Sequence, residues 1–214
     1  MLILISCFAS SSAAHPRYDI LAVEYPPFSS EIMPSGGLVF QLLSARLGNS
    51  IRLKPVFVPP ARAAQMIKAD NWCATFYPPT DDVVSEKWPL TEHTVKIGLY
   101  RLKQESPFSW QNLSELTGVV ALLRTREHSP FSQQFIDAGF DIVWIEEPSQ
   151  GIELLLKGRV DYSIGDDMLG NRGRTYNTFW SGVQFSDTVL FETPVMLYTN
   201  PSCELSTIMR HSYG

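Results

Sequence analysis

The chain has 214 residues, of which 44% are hydrophobic and 18% are charged, so it can bury the core of one large domain or of two small lobes. This composition excludes a disordered chain. The formal net charge of -5 arises without acidic or basic runs, which argues against nucleic acid as a partner and against a polybasic membrane patch. The expected partner is a small molecule or another protein.

Residues 1–14 have the pattern of a secretory signal peptide. An apolar stretch from Leu2 to Ile5 precedes small residues that end at Ala14, just before the polar His15. We therefore expect residues 1–14 to be removed on export to the periplasm. A disordered N-terminus is one alternative, and a lipoprotein signal ending at Cys7 is another. No later segment has the roughly 20 consecutive apolar residues that span a bilayer.

Cys73 and Cys203 are the cysteines that remain after removal of this segment. We interpret them as two unpaired buried thiols, because Cys73 lies in an apolar strand pattern. A disulfide is the alternative, since an exported protein can oxidise an even number of cysteines.

The first half of the chain alternates between the apolar periods of strands and helices. This alternation predicts βαβ units, and hence an α/β fold with a largely parallel sheet. The predicted elements are strands over 18–23, 51–58 and 72–76 and helices over 37–47 and 61–70.

A second βα series follows an extended run over 95–102 and a polar linker over 103–107. Its predicted elements are a short helix over 112–116, strands over 119–123, 142–145 and 160–164, and helices over 130–138 and 149–157. A further extended run over 189–198 mirrors the first. Two matching extended runs around an inserted α/β unit predict two lobes joined by two hinge strands. We expect lobe 1 to comprise residues 15–100 and 190–214, and lobe 2 residues 101–189.

Five segments, taken in this order with hinge-like runs between them, resemble the bacterial extracellular solute-binding proteins of family 3. These are the type II periplasmic binding proteins of amino-acid ABC transporters, and the resemblance extends from about residue 18 to residue 201. The segments are Glu24-Tyr25-Pro26-Pro27-Phe28, Gly37, Pro60-Ala61-Arg62, Leu116-Thr117-Gly118, and Gly158-Arg159-Val160-Asp161 continuing to Gly165-Asp166.

The resemblance implies a two-lobed Venus-flytrap fold, called periplasmic binding protein-like II, that clamps a ligand and catalyses nothing. It further implies a monomer without a cofactor, which delivers a small polar solute, an amino acid or related amine, to the permease of an ABC transporter. A periplasmic sensory or orphan module that reports ligand to a membrane sensor protein is an alternative. A third hypothesis, from another class, is an exported hydrolase that uses Cys73 or a pair of carboxylates.

Two features depart from the family pattern. Amino-acid binders of the family hold the ligand's α-carboxylate with an arginine shortly before an aromatic residue, and counting back from Trp88 places Asp82 there. The usual carboxylate clamp is therefore in doubt. Family members also continue through one or two helices where this chain has only residues 202–214, so we expect lobe 1 to be incompletely covered.

Asp166 is the strongest candidate for ligand binding. The family's strand-end aspartate accepts hydrogen bonds from a ligand ammonium, a charge-assisted interaction worth roughly 1.5 to 3 kcal/mol. The alternative is that Asp166 caps a helix over 167–171. Asp161, at the start of the same strand, is expected to be structural.

Tyr25 and Phe28 flank two prolines, which stiffen the loop that presents their rings. The rings are expected to stack on a ligand or to cover a cation, with ordinary rim packing as the alternative. Glu24, Tyr77 and Trp88 are weaker candidates that we interpret as structural.

Arg62 opens a helix next to the predicted cleft and is a candidate to replace the missing carboxylate clamp. Arg124 and Arg126, at the end of the 119–123 strand, are alternative anion anchors, near the free N–H groups of the helix after Ser129. For each arginine the alternative is a solvated side chain. His93 and His128 lack partners at ligand spacing, so no metal site is expected.

Overall fold

The computed structural model describes residues 15–48, 51–124, 129–169 and 181–214. The predicted signal peptide, Arg126 and His128 lie outside the described residues. No helix in the described part of the chain is long and apolar enough to cross a membrane.

Lobe 1 begins with βαβ units, as the sequence pattern predicts. Strand β1 lies between β2 and β3 and runs parallel to both. The elements are β1 (Arg17–Ala22), α1 (Leu38–Leu47), β2 (Arg52–Phe57), α2 (Pro60–Lys68) and β3 (Ala74–Thr75).

Lobe 2 repeats the same local plan after a short 3₁₀ turn, Leu113–Glu115. Strand β5 lies between β6 and β7, again with parallel pairing. The elements are β5 (Val119–Leu123), α3 (Pro130–Asp137), β6 (Asp141–Ile145), α4 (Pro148–Leu156) and β7 (Tyr162–Asp166).

Two 17-residue strands, β4 (Glu86–Leu102) and β8 (Val183–Thr199), connect the lobes. They pair antiparallel along most of their lengths, from Glu86 opposite Thr199 to Leu102 opposite Val183. Because β3 pairs with β8 and β7 pairs with β4, one sheet of order β2-β1-β3-β8-β4-β7-β5-β6 runs through both lobes. The predicted two-lobed architecture with two hinge strands is therefore confirmed.

Both hinge strands are longer than the sequence predicts. The predicted runs, 95–102 and 189–198, cover only the apolar parts, whereas residues 86–94 and 183–188 are also strand. The missed part of β4 includes the polar segment Thr91-Glu92-His93, which has no apolar alternation. Four residues of β4, 90–93, stand opposite the single Val195 of β8, so the ribbon is bulged beside lobe 1.

Helices cover both faces of the sheet in each lobe. In lobe 1, α1 and the last helix, α5 (Glu204–Tyr213), pack on one face, and α2 packs on the other. In lobe 2, α3 and α4 likewise take opposite faces, with Phe135 and Leu155 fully buried beneath them. Leu205 and Met209 of α5 are also fully buried, so this helix covers part of lobe 1 where the sequence predicts a gap.

Cys73 and Cys203 form a disulfide, which corrects the interpretation of two unpaired thiols. Cys73 precedes β3 rather than lying inside a strand, and its carbonyl accepts a 2.8 Å hydrogen bond from the Asn200 amide. This contact brings the chain returning from β8 next to Cys73. The bond therefore ties the N-cap residue of α5 to the central sheet of lobe 1.

Strand β7 begins and ends two residues later than predicted. The predicted strand, 160–164, starts too early. The Asp161 carboxylate accepts a 2.8 Å hydrogen bond from the Val119 amide, and the Asp161 amide donates a 2.8 Å hydrogen bond to the Val119 carbonyl. Asp161 therefore fastens the segment before β7 to the start of β5. The structural role expected for Asp161 is therefore the one observed. Consequently Asp166 is the last residue of β7 and not the first residue beyond it.

Candidate functional site

The parallel strands of the two lobes point their C-terminal ends toward each other. Strand β3 runs against β8 toward lobe 2, as the pairing of Ala74 with Thr199 and of Thr75 with Tyr198 shows. Strand β7 runs against β4 toward lobe 1, ending where Asp166 pairs with Ile97. Strands β1 and β2 run in the same direction as β3, and strands β5 and β6 run in the same direction as β7. Side chains just past these strands are therefore expected to face each other beside the hinge, and the space between them is called the cleft below.

Asp166 is fully buried at the lobe 2 edge of this cleft, with 0% of its surface exposed. Its Oδ1 accepts a 2.9 Å hydrogen bond from the Met168 amide, and its backbone carbonyl accepts one from the Tyr100 hydroxyl at 2.9 Å. The first bond is the kind that the capping alternative requires. Strand alternation places the Asp166 side chain on the same face as Ile164, which packs in the core beneath α3.

Tyr25 and Phe28 lie in a tight turn after β1, closed by a 3.0 Å hydrogen bond from the Phe28 amide to the Tyr25 carbonyl. The two ring centroids are 6.0 Å apart. Phe28 is only 8% exposed and packs in the core beneath α1, whereas Tyr25 is half-buried at the edge of that core. The structure thus assigns Phe28 a packing role and leaves part of the Tyr25 ring accessible.

Arg62 is exposed in the first turn of α2, where the chain leaves β2 at the lobe 1 edge. Among the described residues its guanidinium has no hydrogen-bond or ion-pair partner. Pro59 and Pro60 lack N–H groups, and the Arg62 amide bonds back to Pro59 at 2.9 Å. This helix start therefore offers few backbone donors, and an anion bound there depends on the arginine side chain.

Arg124 lies at the end of β5 and forms an ion pair with Glu146 at the end of β6. The Arg124 Nε and the Glu146 Oε1 are 2.7 Å apart, and each side chain is 47% exposed. The pair lowers the net positive charge available to an anionic ligand at this edge. The sequence analysis missed Glu146, although its position directly after a predicted strand is the same signal that identified Arg124.

Glu24 and Tyr77 follow β1 and β3 at the lobe 1 edge. The Glu24 Oε2 accepts a 3.0 Å hydrogen bond from the Glu31 amide and so braces the loop before α1. The Tyr77 amide donates to the hydroxyl of buried Thr75 at 2.9 Å. Both contacts are local and fit the structural roles expected for these residues.

Trp88 and Ser129 also serve the fold. The Trp88 indole N–H donates to the Thr199 hydroxyl at 2.8 Å within the hinge ribbon. Ser129 caps α3, since its hydroxyl accepts a 3.1 Å hydrogen bond from the Ser132 amide, as predicted. Asp82, where the family's arginine is expected, is exposed in the loop between β3 and β4.

Within the described ranges, no group of three or more His, Cys, Asp or Glu residues is placed to hold a metal ion. Among the described residues, the candidate side chains at the cleft are Arg62, Arg124, several carboxylates and aromatic rings. Such a set can bind a solute through hydrogen bonds, ion pairs and ring contacts.

No protein-family model matches the chain, and no curated protein matches it in sequence. Solved structures do match, over most of their length. The ligand-binding core of GluR0 from Nostoc punctiforme in complex with L-glutamate matches with 12% identity and a TM-score of 0.65, over 91% of this chain and 90% of that one.

Two further structures are similar to the chain in fold. The arginine-bound form of truncated ArgBP from T. maritima has 14% identity and a TM-score of 0.67, over 92% of each chain. The VFT2 domain of BvgS from Bordetella pertussis has 15% identity and a TM-score of 0.62, over 92% of this chain and 87% of that one. At these identities the likeness shows the fold, which is that of the type II periplasmic binding proteins.

Proposed function

We propose that the chain is an extracytoplasmic, non-enzymatic binding protein that holds a small polar solute, an amino acid or related amine, between its two lobes. One observation carries this proposal: the C-terminal edges of two parallel half-sheets face each other across a pair of continuous hinge strands. Strand ends of open α/β sheets are where ligands bind, and a two-strand hinge allows the edges to close on one.

The placement of charges supports an amine-bearing ligand. Asp166 is a buried carboxylate at the lobe 2 edge, and on closure a ligand ammonium beside it gains from the exclusion of water. Arg62 is an accessible cation at the lobe 1 edge and takes over the role of the arginine that Asp82 replaces. Arg124, held by Glu146, is the second anion anchor, and Tyr25 contributes a ring to the wall. Phe28 supports that ring from the core.

Delivery of the solute to the permease of an ABC transporter is the downstream role we propose. A sensory role is the second candidate, because the fold is also similar to the VFT2 domain of BvgS. Both roles share the same ligand-binding step.

We further propose a monomer in the periplasm, exported by the signal peptide of residues 1–14. Lobe 1 is formed by residues 15–100 and 190–214, and lobe 2 by residues 101–189.

The disulfide bears directly on the hydrolase hypothesis. A cysteine nucleophile acts as a free thiolate, and Cys73 is bonded to Cys203. The version of that hypothesis that uses Cys73 is therefore withdrawn.

A thermal-shift screen of the mature protein, residues 15–214, tests the proposal. Amino acids, polyamines and small carboxylates are added one at a time, and a ligand of the native state raises the melting temperature, by an increment that grows with its concentration. We expect a concentration-dependent increase with at least one amine-bearing compound and none with its uncharged analogue. A flat response to every compound at millimolar concentration would contradict the proposal.

A further inference from the structure

Three neighbouring strands place Asp166, Ile97 and Phe191 in one row. Asp166 of β7 pairs with Ile97 of β4, and Ile97 pairs with Phe191 of β8. Residues directly opposite one another in adjacent strands share a face of the sheet. With strands roughly 4.8 Å apart, the Phe191 backbone lies about 10 Å from that of Asp166.

A ring contact confirms that Phe191 faces α3. The Phe131 ring, in the first turn of α3, meets the Phe191 ring edge-on, with centroids 5.9 Å apart and an interplanar angle of 88°. Phe131 in turn packs edge-on against Phe135, which is fully buried. The Phe191 ring is thus supported by the lobe 2 core.

Phe191 nevertheless keeps 45% of its surface exposed, on a hinge strand and in the row that ends at the buried carboxylate. The nearest charged pair on the same two strands, Lys96 opposite Glu192, lies on the other face because side chains alternate along a strand. The Lys96 and Glu192 side chains are therefore directed away from the Phe191 ring. A ring two strands away from a carboxylate can cover the hydrocarbon of a solute whose cationic end lies at that carboxylate.

We propose that Phe191 is a ligand-contacting residue that determines specificity, with Phe131 holding its ring in position. It covers the hydrocarbon chain of a solute whose ammonium binds at Asp166, so the site selects amines that carry several methylene groups, such as basic amino acids and diamines, over short or purely anionic solutes. This inference rests on the proposed function and adds the class of solute to it.

Calorimetric titrations with L-lysine, L-arginine, putrescine and cadaverine, with glycine and succinate for comparison, test the inference. The variants are Phe191→Ala and the ring-retaining Phe191→Tyr. Ile136→Ala is the matched control, because Ile136 is a similarly exposed apolar residue of lobe 2, at 43%, but lies on α3.

We expect the wild type to bind at least one of the four amines more tightly than glycine or succinate. Phe191→Ala should weaken that binding about three- to thirtyfold, while Phe191→Tyr and Ile136→Ala stay within about twofold of the wild type. Tight amine binding that Phe191→Ala leaves unchanged would overturn the inference and leave the proposed function standing. A wild type that binds none of the amines would overturn both the inference and the amine class of the proposed function.

Discussion

The carboxylate of Asp166 is fully buried at the end of β7, where one oxygen accepts a hydrogen bond from the Met168 amide. Asparagine can accept the same bond without the charge, so Asp166→Asn separates binding from capping. If a ligand ammonium is the partner, Asp166→Asn should weaken binding by about 1.5 to 3 kcal/mol and change the ligand-free melting temperature little. Calorimetric titration and thermal melting of both proteins measure the two quantities.

Asp166→Ala completes this comparison, because alanine also removes the acceptor for the Met168 amide. If Asp166 serves only as a cap, Asp166→Ala should lose about 1 kcal/mol of stability, and the ligand affinity of Asp166→Asn and Asp166→Ala should equal that of the wild type. Asp161→Ala is the control, since it removes the carboxylate that accepts the hydrogen bond from the Val119 amide and should affect stability and not affinity. Unchanged affinity in Asp166→Asn would remove Asp166 from the site.

Arg62 is the exposed arginine at the lobe 1 edge, without a partner among the described residues. Arg62→Ala should therefore weaken the binding of carboxylate-bearing ligands by about 1 to 3 kcal/mol and leave ligands without a carboxylate nearly unaffected. Titration with matched pairs, such as L-lysine and cadaverine, measures the difference. Lys68→Ala, at the far end of the same helix, is the control for a general change of charge. Equal losses for both ligand classes would assign Arg62 a structural role.

At the scale of elements, the C-terminal helix α5 is held to lobe 1 by the disulfide between residues separated by 130 positions. In the chain-entropy model a loop of this length contributes up to about 4 to 5 kcal/mol to the free energy of unfolding. The double variant Cys73→Ser/Cys203→Ser should therefore unfold at clearly lower denaturant concentration. Non-reducing mass spectrometry of the exported protein checks the bond itself, and two alkylatable thiols would contradict it.

Glu86 also connects α5 to the hinge strand β4. The Ser206 hydroxyl donates a hydrogen bond to this carboxylate and, together with the Arg210 guanidinium, holds the pKa of Glu86 below its usual value of 4.5, although partial burial opposes the shift. A carboxyl with a lowered native pKa stabilises the fold above its unfolded pKa, and this contribution is lost as pH falls through the native pKa.

Glu86→Gln should accordingly be less stable than the wild type at pH 7. The difference should shrink as the pH falls below 4.5, because the wild-type carboxyl becomes neutral as well. Denaturant unfolding at several pH values measures it. Glu153→Gln is the control, because Glu153 pairs with Lys157 on the exposed surface of α4 and should give a small, nearly constant difference. A Glu86→Gln difference that does not vary with pH would contradict the assignment.

Local chemistry explains which elements the sequence predicts well. Helix α3 starts at Pro130 behind the Ser129 cap, as predicted, because capping depends only on neighbouring residues. The polar half of β4 was missed, since its strand conformation comes from pairing with β8, about a hundred residues later. The disulfide likewise forms because β8 brings the chain back to lobe 1. A local apolar pattern predicts neither the polar half of β4 nor the disulfide.

The candidate site likewise has features that local sequence predicts and features that depend on distant parts of the chain. Asp166 and Arg124 are predicted as site residues because strand ends can be read from sequence, but the burial of Asp166 and the ion pair of Arg124 depend on neighbouring strands. Phe28 was assigned to the ligand wall because its loop is stiff, whereas its ring packs in the core. Phe191 was not considered, because its relation to Asp166 passes through the register of three strands.

At the scale of the whole molecule, the central claim is that one solute contacts both lobes across the hinge. Hydrogen–deuterium exchange, with and without the strongest amine found by thermal shift, tests this most directly. We predict slower exchange in the presence of ligand at the strand ends of both lobes, over 24–28 and 60–63 in lobe 1 and over 129–132 and 166–168 in lobe 2. Protection confined to one lobe, or located away from these strand ends, would contradict the account.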